Sequence, residues 1–421
     1  MRLAVIGGGW AGIAAAVQAV QAGHDVTLYE MAPRLGGRAR SVDFDGLTLD
    51  NGQHILIGAY RDTLALMRRV GADPDKLLLR QPLALTFPDG QGLELRPGAA
   101  VPALLGAIVR RAGWRWGDRF ALLRAAAGWR LARFRCDPGW TVARLTASLP
   151  ARVRSELIDP LCVAALNTPA THASATVLLR VLADALFGAA GGADLLLPRR
   201  PLDELLPLPA ARWLAARGAT LHFGCRVQAL QGDAGGRWRV DGAAFDAVVL
   251  ACTVGEAARL TRDVAPAWSA LAAAFVHEPI VTVYLRSPGT RLPRAMTALH
   301  EGAGAPAQFV FDHGCIGGDD GLFAAVVSGA RDWVGRGLDA TAQAVLRQLV
   351  ADFAPGTWRS TPRPVRTLAE KRATFACVPG LLRPPRAVAP KLVAAGDYVD
   401  GPYPSTLEGA VRSGLAAIES L

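Results

Sequence analysis

The chain has 421 residues, 51% hydrophobic and 19% charged, which excludes a disordered or fibrous protein and allows two domains or one large fold with an insertion. Its formal charge of +10 rests almost wholly on arginine, with only three lysines (Lys76, Lys371 and Lys391), a balance that fits anionic partners such as phosphates or a membrane surface, or simple codon bias. The six cysteines are scattered without a C-x-x-C pair, which argues against a zinc site or redox dithiol and for buried thiols in a reducing, cytoplasmic compartment.

Leu3-Ala4-Val5-Ile6 reads as a short strand buried on both faces. The apolar first twenty residues are not a signal peptide or a membrane span, because four glycines, Gln18 and Gln21 interrupt them. Gly7-Gly8-Gly9-Trp10-Ala11-Gly12 is G-x-G-x-x-G. A helical stretch Ile13–Ala22 follows, stopped by Gly23, and then a strand Asp25–Tyr29 that ends at Glu30. In this strand–turn–helix–strand–acid context Gly7 permits the turn, Gly9 admits a pyrophosphate, and Gly12 lets helix and strand pack. The helix N-terminus faces the phosphates, with Trp10 and Ala11 at its start, and Glu30 is placed to accept hydrogen bonds from ribose hydroxyls. These residues predict a dinucleotide site.

Leu35-Gly36-Gly37-Arg38-Ala39-Arg40-Ser41 comes next and resembles the G-G-R signature of the flavin amine oxidase and phytoene desaturase superfamily. The resemblance implies FAD, held non-covalently, with Gly37 and Arg38 at its phosphates. Paired glycines and a guanidinium's directional donors suit that task. Ser41–Asp50 reads as a β-hairpin turning at Asp45-Gly46, and it ends in Asn51-Gly52-Gln53-His54. The superfamily places a similar turn beside the flavin ring, so Gly52, Gln53 and His54 are expected there.

Val101–Arg135 combines Leu104, Leu105, Ile108, Val109, Trp114, Trp116, Phe120 and Trp129 with eight arginines and one acid, Asp118. Such helices either lie peripherally on an anionic membrane surface or simply pack on the domain with solvated arginines. Further on, Ala219–Phe223, Arg226–Leu230, Trp238–Val240 and Phe245–Cys252 read as strands of the nucleotide domain. By resemblance, the backbone of Val227 contacts the adenine end. No second G-x-G-x-x-G opens another βαβ unit, so the electron donor stays open. Near the C-terminus a strand Lys391–Ala395 runs into Gly396-Asp397, and a small-residue helix begins in Ser405-Thr406-Leu407-Glu408-Gly409. This resembles the superfamily's last flavin motif, in which the aspartate binds the ribityl chain and the helix start, here Thr406 and Leu407, points at the pyrimidine.

The expected fold is α/β: a discontinuous Rossmann-like FAD-binding domain (a parallel sheet with a crossover β-meander) from 1–59, 206–260 and 386–421. An inserted α+β substrate domain takes 60–205, largely helical, and 261–385. Asp159–Pro169 with its Leu166-Asn167-Thr168-Pro169, Ala193–Arg199, Asn51–His54 and Glu370-Lys371-Arg372-Ala373-Thr374-Phe375-Ala376 resemble the hydroxysqualene dehydroxylases of squalene and hopanoid biosynthesis, nearly end to end. That resemblance implies a long apolar isoprenoid substrate and a hydride passing from reduced FAD to carbon as an allylic hydroxyl leaves. The expected acid is His54, for its place by the flavin and its near-neutral pKa. Asn167 and Thr168 are expected to orient a hydroxyl or water, and Lys371 is a further candidate. An oxidative desaturase or amine oxidase is the rival reading and a non-catalytic lipid escort a lesser one; no metal or nucleic acid is indicated.

Overall fold

A computed structural model describes residues 1–98 and 100–421. Its principal sheet takes strands from three distant parts of the chain, in the order Thr220–His222, Asp25–Tyr29, Arg2–Ile6, Ala247–Leu250, Leu392–Ala394, Ala387–Ala389. The first five run parallel and the last is antiparallel. Leu3, Ala4 and Val5 are fully buried, as a strand covered on both faces requires. The helix Trp10–Gln21 packs on this sheet and against the last helix, Leu407–Glu419. A Cβ on Gly414 would stand 2.2 Å from the carbonyl oxygen of Ala11, so only glycine lets these two helices cross so closely.

The meander is present as an antiparallel sheet of Leu230–Gly232, Trp238–Val240 and Ala243–Phe245. Two of the expected strands differ. Phe245–Cys252 is not continuous: Phe245 closes the meander and Ala247–Leu250 belongs to the parallel sheet. Between them Asp246 accepts a hydrogen bond from the Arg2 N–H at 2.8 Å. Of Arg226–Leu230 only Leu230 enters a strand, because side chains take the backbone groups that a ladder would use. The Asp241 carboxylate accepts from the N–H groups of Gln228 and Ala229, and Arg259 donates to the carbonyls of Val227 and Gln228.

The second unit is built on a five-stranded antiparallel sheet in the order Met296–Ala298, Phe309–Asp312, Leu322–Val327, His277–Arg286, Arg363–Phe375. Alternation sorts its side chains. Val281, Val283, Leu285, Phe323 and Ala325 pack with Val345 and Leu349 of the helix Leu338–Asp352. Tyr284, Phe309, Phe311, Ala324 and Val326 face the helical part of the chain, which includes Asp159–Leu166 and Ala175–Leu186. A small sheet pairs Leu195–Pro198 with Leu56–Ile57 on one side and Leu78–Gln81 on the other.

The hairpin Ser41–Phe44/Leu47–Asp50 turns at Asp45 (φ 45°) and Gly46 (φ 76°), a type I′ arrangement. Its base carries two acids. Asp50 accepts from the Leu202 N–H and the Ser41 hydroxyl, and Asp203 accepts from the Ser41 N–H. Burial, with the Asp203 charge beside it, pushes the Asp50 carboxyl up to about 6 against those hydrogen bonds. Because this lies above the ordinary 3.8, the group's stabilising contribution is full below about pH 4 and is lost as pH rises through about 6. Asp50→Asn is therefore expected to gain on the wild type between pH 4.5 and pH 7, by about 2 kcal/mol or about two degrees of Tm. Scanning calorimetry at pH 4.5 and pH 7 checks this; a wild-type-to-variant gap that is the same at both rejects it.

Candidate active site

The glycine loop leaves the first strand as the sequence requires. Gly7 has φ +107°, and a Cβ on Gly12 would stand 1.9 Å from the Gly7 carbonyl oxygen. At Gly9 the nearest atom to such a Cβ is the Gly37 Cα at 3.8 Å, so the ground before the helix N-terminus is open. Glu30 is buried and anchored, its two oxygens accepting from the Gly8 and Ala32 N–H groups at 2.7 Å each. Each oxygen keeps a lone pair for a ribose hydroxyl. A cleft of about 620 Å³ runs past Glu30, Val227, Gly9, Ala11 and Gly37 to Arg38, Gly396 and Asp397. The Val227 carbonyl is held by Arg259 at 2.6 Å, and among the described residues its N–H has no partner.

At the far end of the cleft Arg38 donates to Asp397 at 2.6 Å and to the Ala373 carbonyl at 2.7 Å. Burial pushes the Asp397 carboxyl up, but the Arg38 charge and hydrogen bond, Ser405 and Arg383 bring it below the ordinary carboxylate value. The loop after Asp397 is wound around Arg383, which donates to the carbonyls of Asp397, Val399, Gly401 and Tyr403. Thr406 caps the last helix by accepting from the Gly409 N–H at 3.1 Å. Trp10 is buried, and its indole N–H ties the Ala39 carbonyl at 3.0 Å.

A second cavity of about 390 Å³ begins where the cleft ends, and the two share Arg38, Glu370, Asp397 and Ala410. Its walls are apolar, from Leu161, Leu178, Leu182, Ile280, Phe309 and Phe311 among others. Polar groups collect at the shared end: Asn51, Gln53, His54, Glu370, Tyr403 and Thr406. Gly52 and Leu407 line the same end. A dinucleotide in the cleft would present its ring to this cavity, and the open loop, anchored acid, guanidinium and capped helix start all fit FAD.

His54 lies in this cavity with Nδ1 2.7 Å from the Gly52 carbonyl oxygen, so Nδ1 carries the proton and Nε2 is left bare. Burial, partly countered by the Gly52 carbonyl, and the Arg38 charge hold its pKa below the ordinary 6.5 rather than near neutral. Asn167 also borders the cavity, but its polar atoms are already used. Its amide donates to the Glu278 carbonyl and the Thr374 hydroxyl, and its oxygen accepts from the Gly329 N–H at 2.7 Å. Left-handed at φ 47°, it ends the helix Asp159–Leu166 and fastens it to the sheet. Thr168 is buried outside both cavities, donating to the Leu166 carbonyl and accepting from the Cys377 N–H. Lys371 is exposed and borders neither cavity. The structure thus gives Asn167 and Thr168 structural tasks and keeps Lys371 away from the cavity.

Three residues escaped the sequence reading. Glu370 borders both cavities and accepts from the Asn51 amide and the Arg372 N–H. Successive strand residues face opposite ways, so Glu370 and Lys371 could not both face the cavity, but which of them does is set by strand pairing that the segment alone does not carry. Tyr403 accepts from Arg180 and Arg412 and donates to Asp184. It stood within the C-terminal motif, whereas nothing local marked Arg383.

A nucleotide cleft that opens onto an apolar cavity through a polar junction defines a flavin-dependent oxidoreductase. Residues 10–419 match the profile of the family described as flavin containing amine oxidoreductase, and the chain belongs to that family. It is 29% identical over 443 residues to the hydroxysqualene dehydroxylase of Rhodopseudomonas palustris, covering 99% of this chain and 97% of that one. A probable zeta-carotene desaturase of Synechococcus elongatus is 45% identical, over only 17% of this chain and 15% of its own. Among solved structures, an oxidoreductase from Methanosarcina mazei superposes with a TM-score of 0.74 at 16% identity, over the whole of both chains, a likeness of fold.

Glu30→Gln replaces one acceptor oxygen with a donor that opposes a backbone N–H. We expect FAD affinity to fall about 10- to 100-fold, by fluorescence titration, with colour lost on gel filtration. Unchanged affinity would remove Glu30 from the site.

Proposed function

We propose that this chain reduces hydroxysqualene to squalene in squalene and hopanoid biosynthesis, with FAD held non-covalently. The observation that carries the reading is a largely apolar cavity that meets the cofactor cleft at a polar junction, in a chain similar end to end to hydroxysqualene dehydroxylases. Reduced flavin supplies the hydride. The balance is R–OH + H⁺ + H⁻ → R–H + H₂O: the allylic carbon–oxygen bond breaks, the proton leaves in water, and carbon takes the hydride.

The apolar walls bind the hydrocarbon and exclude bulk water. His54 meets the hydroxyl through Nε2. Its Nδ1–H is committed to Gly52, so a proton gained by the ring sits on Nε2 and can pass to the departing oxygen. Asn51 and Arg38 hold Glu370 and Asp397 at the junction and keep the polar end ordered. Cys252, a half-buried thiol lining the cleft, is pushed up to about 12 by desolvation and the Glu256 charge, which keeps it as the thiol. An oxidative desaturase is the second reading, favoured by the partial likeness to a carotene desaturase, since the same cofactor residues serve either direction.

The anaerobic experiment separates them. With flavin reduced and oxygen absent, hydroxysqualene is expected to restore oxidised-flavin absorbance and yield squalene in matching amount. Reduced flavin left unmoved, with oxidised enzyme bleached by squalene or a carotenoid precursor, establishes the reverse direction.

The acid form of His54 is required and its pKa is lowered, so single-turnover flavin reoxidation should rise as pH falls and level off below an apparent pKa under 6.5. His54→Asn is expected to be about 100-fold slower and to lose that limb. A variant that keeps the wild-type pH profile would take the acid role from His54.

A further inference from the structure

We infer that the two helices Ala100–Arg110 and Trp116–Leu131 form a docking surface for an anionic lipid bilayer. Trp116, Phe120, Arg124 and Leu131 fall on one face of the second helix, at spacings of four, four and seven. Trp116 is 73% exposed, Phe120 70% and Leu131 85%, among the most exposed large apolar side chains described. On the first helix Leu105 and Val109, four apart, are exposed as well. The inner sides are packed: Ala107, Ile108, Trp114 and Leu122 belong to the core beneath. These apolar side chains are thus surplus to the fold.

Charge selects the occupant. Of the eight arginines between residues 101 and 135, among the described residues only Arg111 has an acidic side-chain partner, Glu156. Among the described residues Arg110, Arg115, Arg119, Arg124, Arg130, Arg133 and Arg135 have none, and Arg119 stacks 4.7 Å over the Trp116 ring. Asp118, the one acid, accepts from the Arg115 N–H. The segment carries seven arginines without an acidic side-chain partner among the described residues, so a second copy would meet like charge, which argues against a symmetric contact between two chains. Aromatic and aliphatic side chains ringed by arginine suit lipid headgroups over acyl chains. No helix among the described residues is long and apolar enough to cross a membrane, so the contact is peripheral.

The surface also leads inward. Arg130 lies 5.8 Å over the Phe187 ring and Phe134 stands 4.8 Å from it. Phe187 ends the helix Ala175–Leu186, whose Leu178, Leu182 and Leu186 line the apolar cavity. A docked chain would have that cavity one helix away from the lipid. The inference that substrate arrives through the bilayer rests on the isoprenoid reading; the docking does not.

The test is flotation of the FAD-loaded full chain with vesicles of phosphatidylcholine, with and without about one-third phosphatidylglycerol. Binding is expected only with the anionic lipid, weakening as salt rises. The double variant Trp116→Ser, Phe120→Ser should bind about tenfold more weakly. Arg124→Glu and Arg133→Glu should each lose at least about fivefold. All should keep the wild-type flavin spectrum and circular dichroism, and turnover of detergent-dispersed hydroxysqualene, while turnover of vesicle-embedded substrate falls. Equal binding to neutral vesicles, no vesicle binding, preference for duplex DNA, or variants that bind as wild type would each overturn the inference. Vesicle binding without turnover of either substrate form would leave the docking intact and reject the functional reading instead.

Discussion

Arg38 and Asp397 lie 359 residues apart in sequence and 2.6 Å apart in the fold. The glycine-arginine turn, the C-terminal loop and, through the Ala373 carbonyl, the long strand Arg363–Phe375 meet at this pair. A mostly buried ion pair adds little net stability, because desolvation offsets much of its Coulomb attraction. Its worth is positional. Removing either partner strands a charge at the junction of the nucleotide cleft and the apolar cavity, where the reacting part of the cofactor belongs. Arg383 completes the arrangement by giving the loop after Asp397 a guanidinium to wrap around in place of a regular ladder.

That meeting requires both ends of the chain to share one sheet. The strands Arg2–Ile6 and Leu392–Ala394 flank Ala247–Leu250, and the first and last helices cross where Gly414 rests on Ala11. The cofactor cleft is therefore built chiefly from the sequence's extremities and middle, and the apolar walls of the cavity chiefly from what lies between. A cavity wall can change without disturbing the glycine loop, which is how one fold serves several substrates. The small sheet pairing Leu195–Pro198 with Leu56–Ile57 adds hydrogen bonds between distant parts of the chain.

Features fixed by local backbone geometry were legible in the sequence. The glycine loop, the strand ending at Glu30, the Asp45-Gly46 hairpin and the start of the last helix at Thr406 and Leu407 each need particular residues at particular spacings, and each is where the sequence put it. Features fixed by long-range pairing were not. Asn167 looked chemical because Leu166-Asn167-Thr168-Pro169 carried the family resemblance, yet its amide is consumed in joining a helix to a sheet. Lys371 was named where its neighbour Glu370 faces the cavity, because a strand's facing depends on pairing that a single segment does not reveal. Arg383 carried no mark at all: one arginine among many, distinguished only by the carbonyls that converge on it.

The cavity's asymmetry bears on how a C30 alcohol would be held. Hydrocarbon slides along an apolar wall with little preference for register, whereas an unpaired hydroxyl there costs roughly 1–3 kcal/mol. The end with Asn51, His54 and Glu370 is where that cost is relieved, so the substrate's single polar group sets its register and brings the carbon that bears it to the flavin junction. The product has no hydroxyl and loses this anchor as it forms. Binding energy is therefore spent on the one arrangement in which the carbon–oxygen bond can break, and the spent hydrocarbon is the molecule the site holds least firmly.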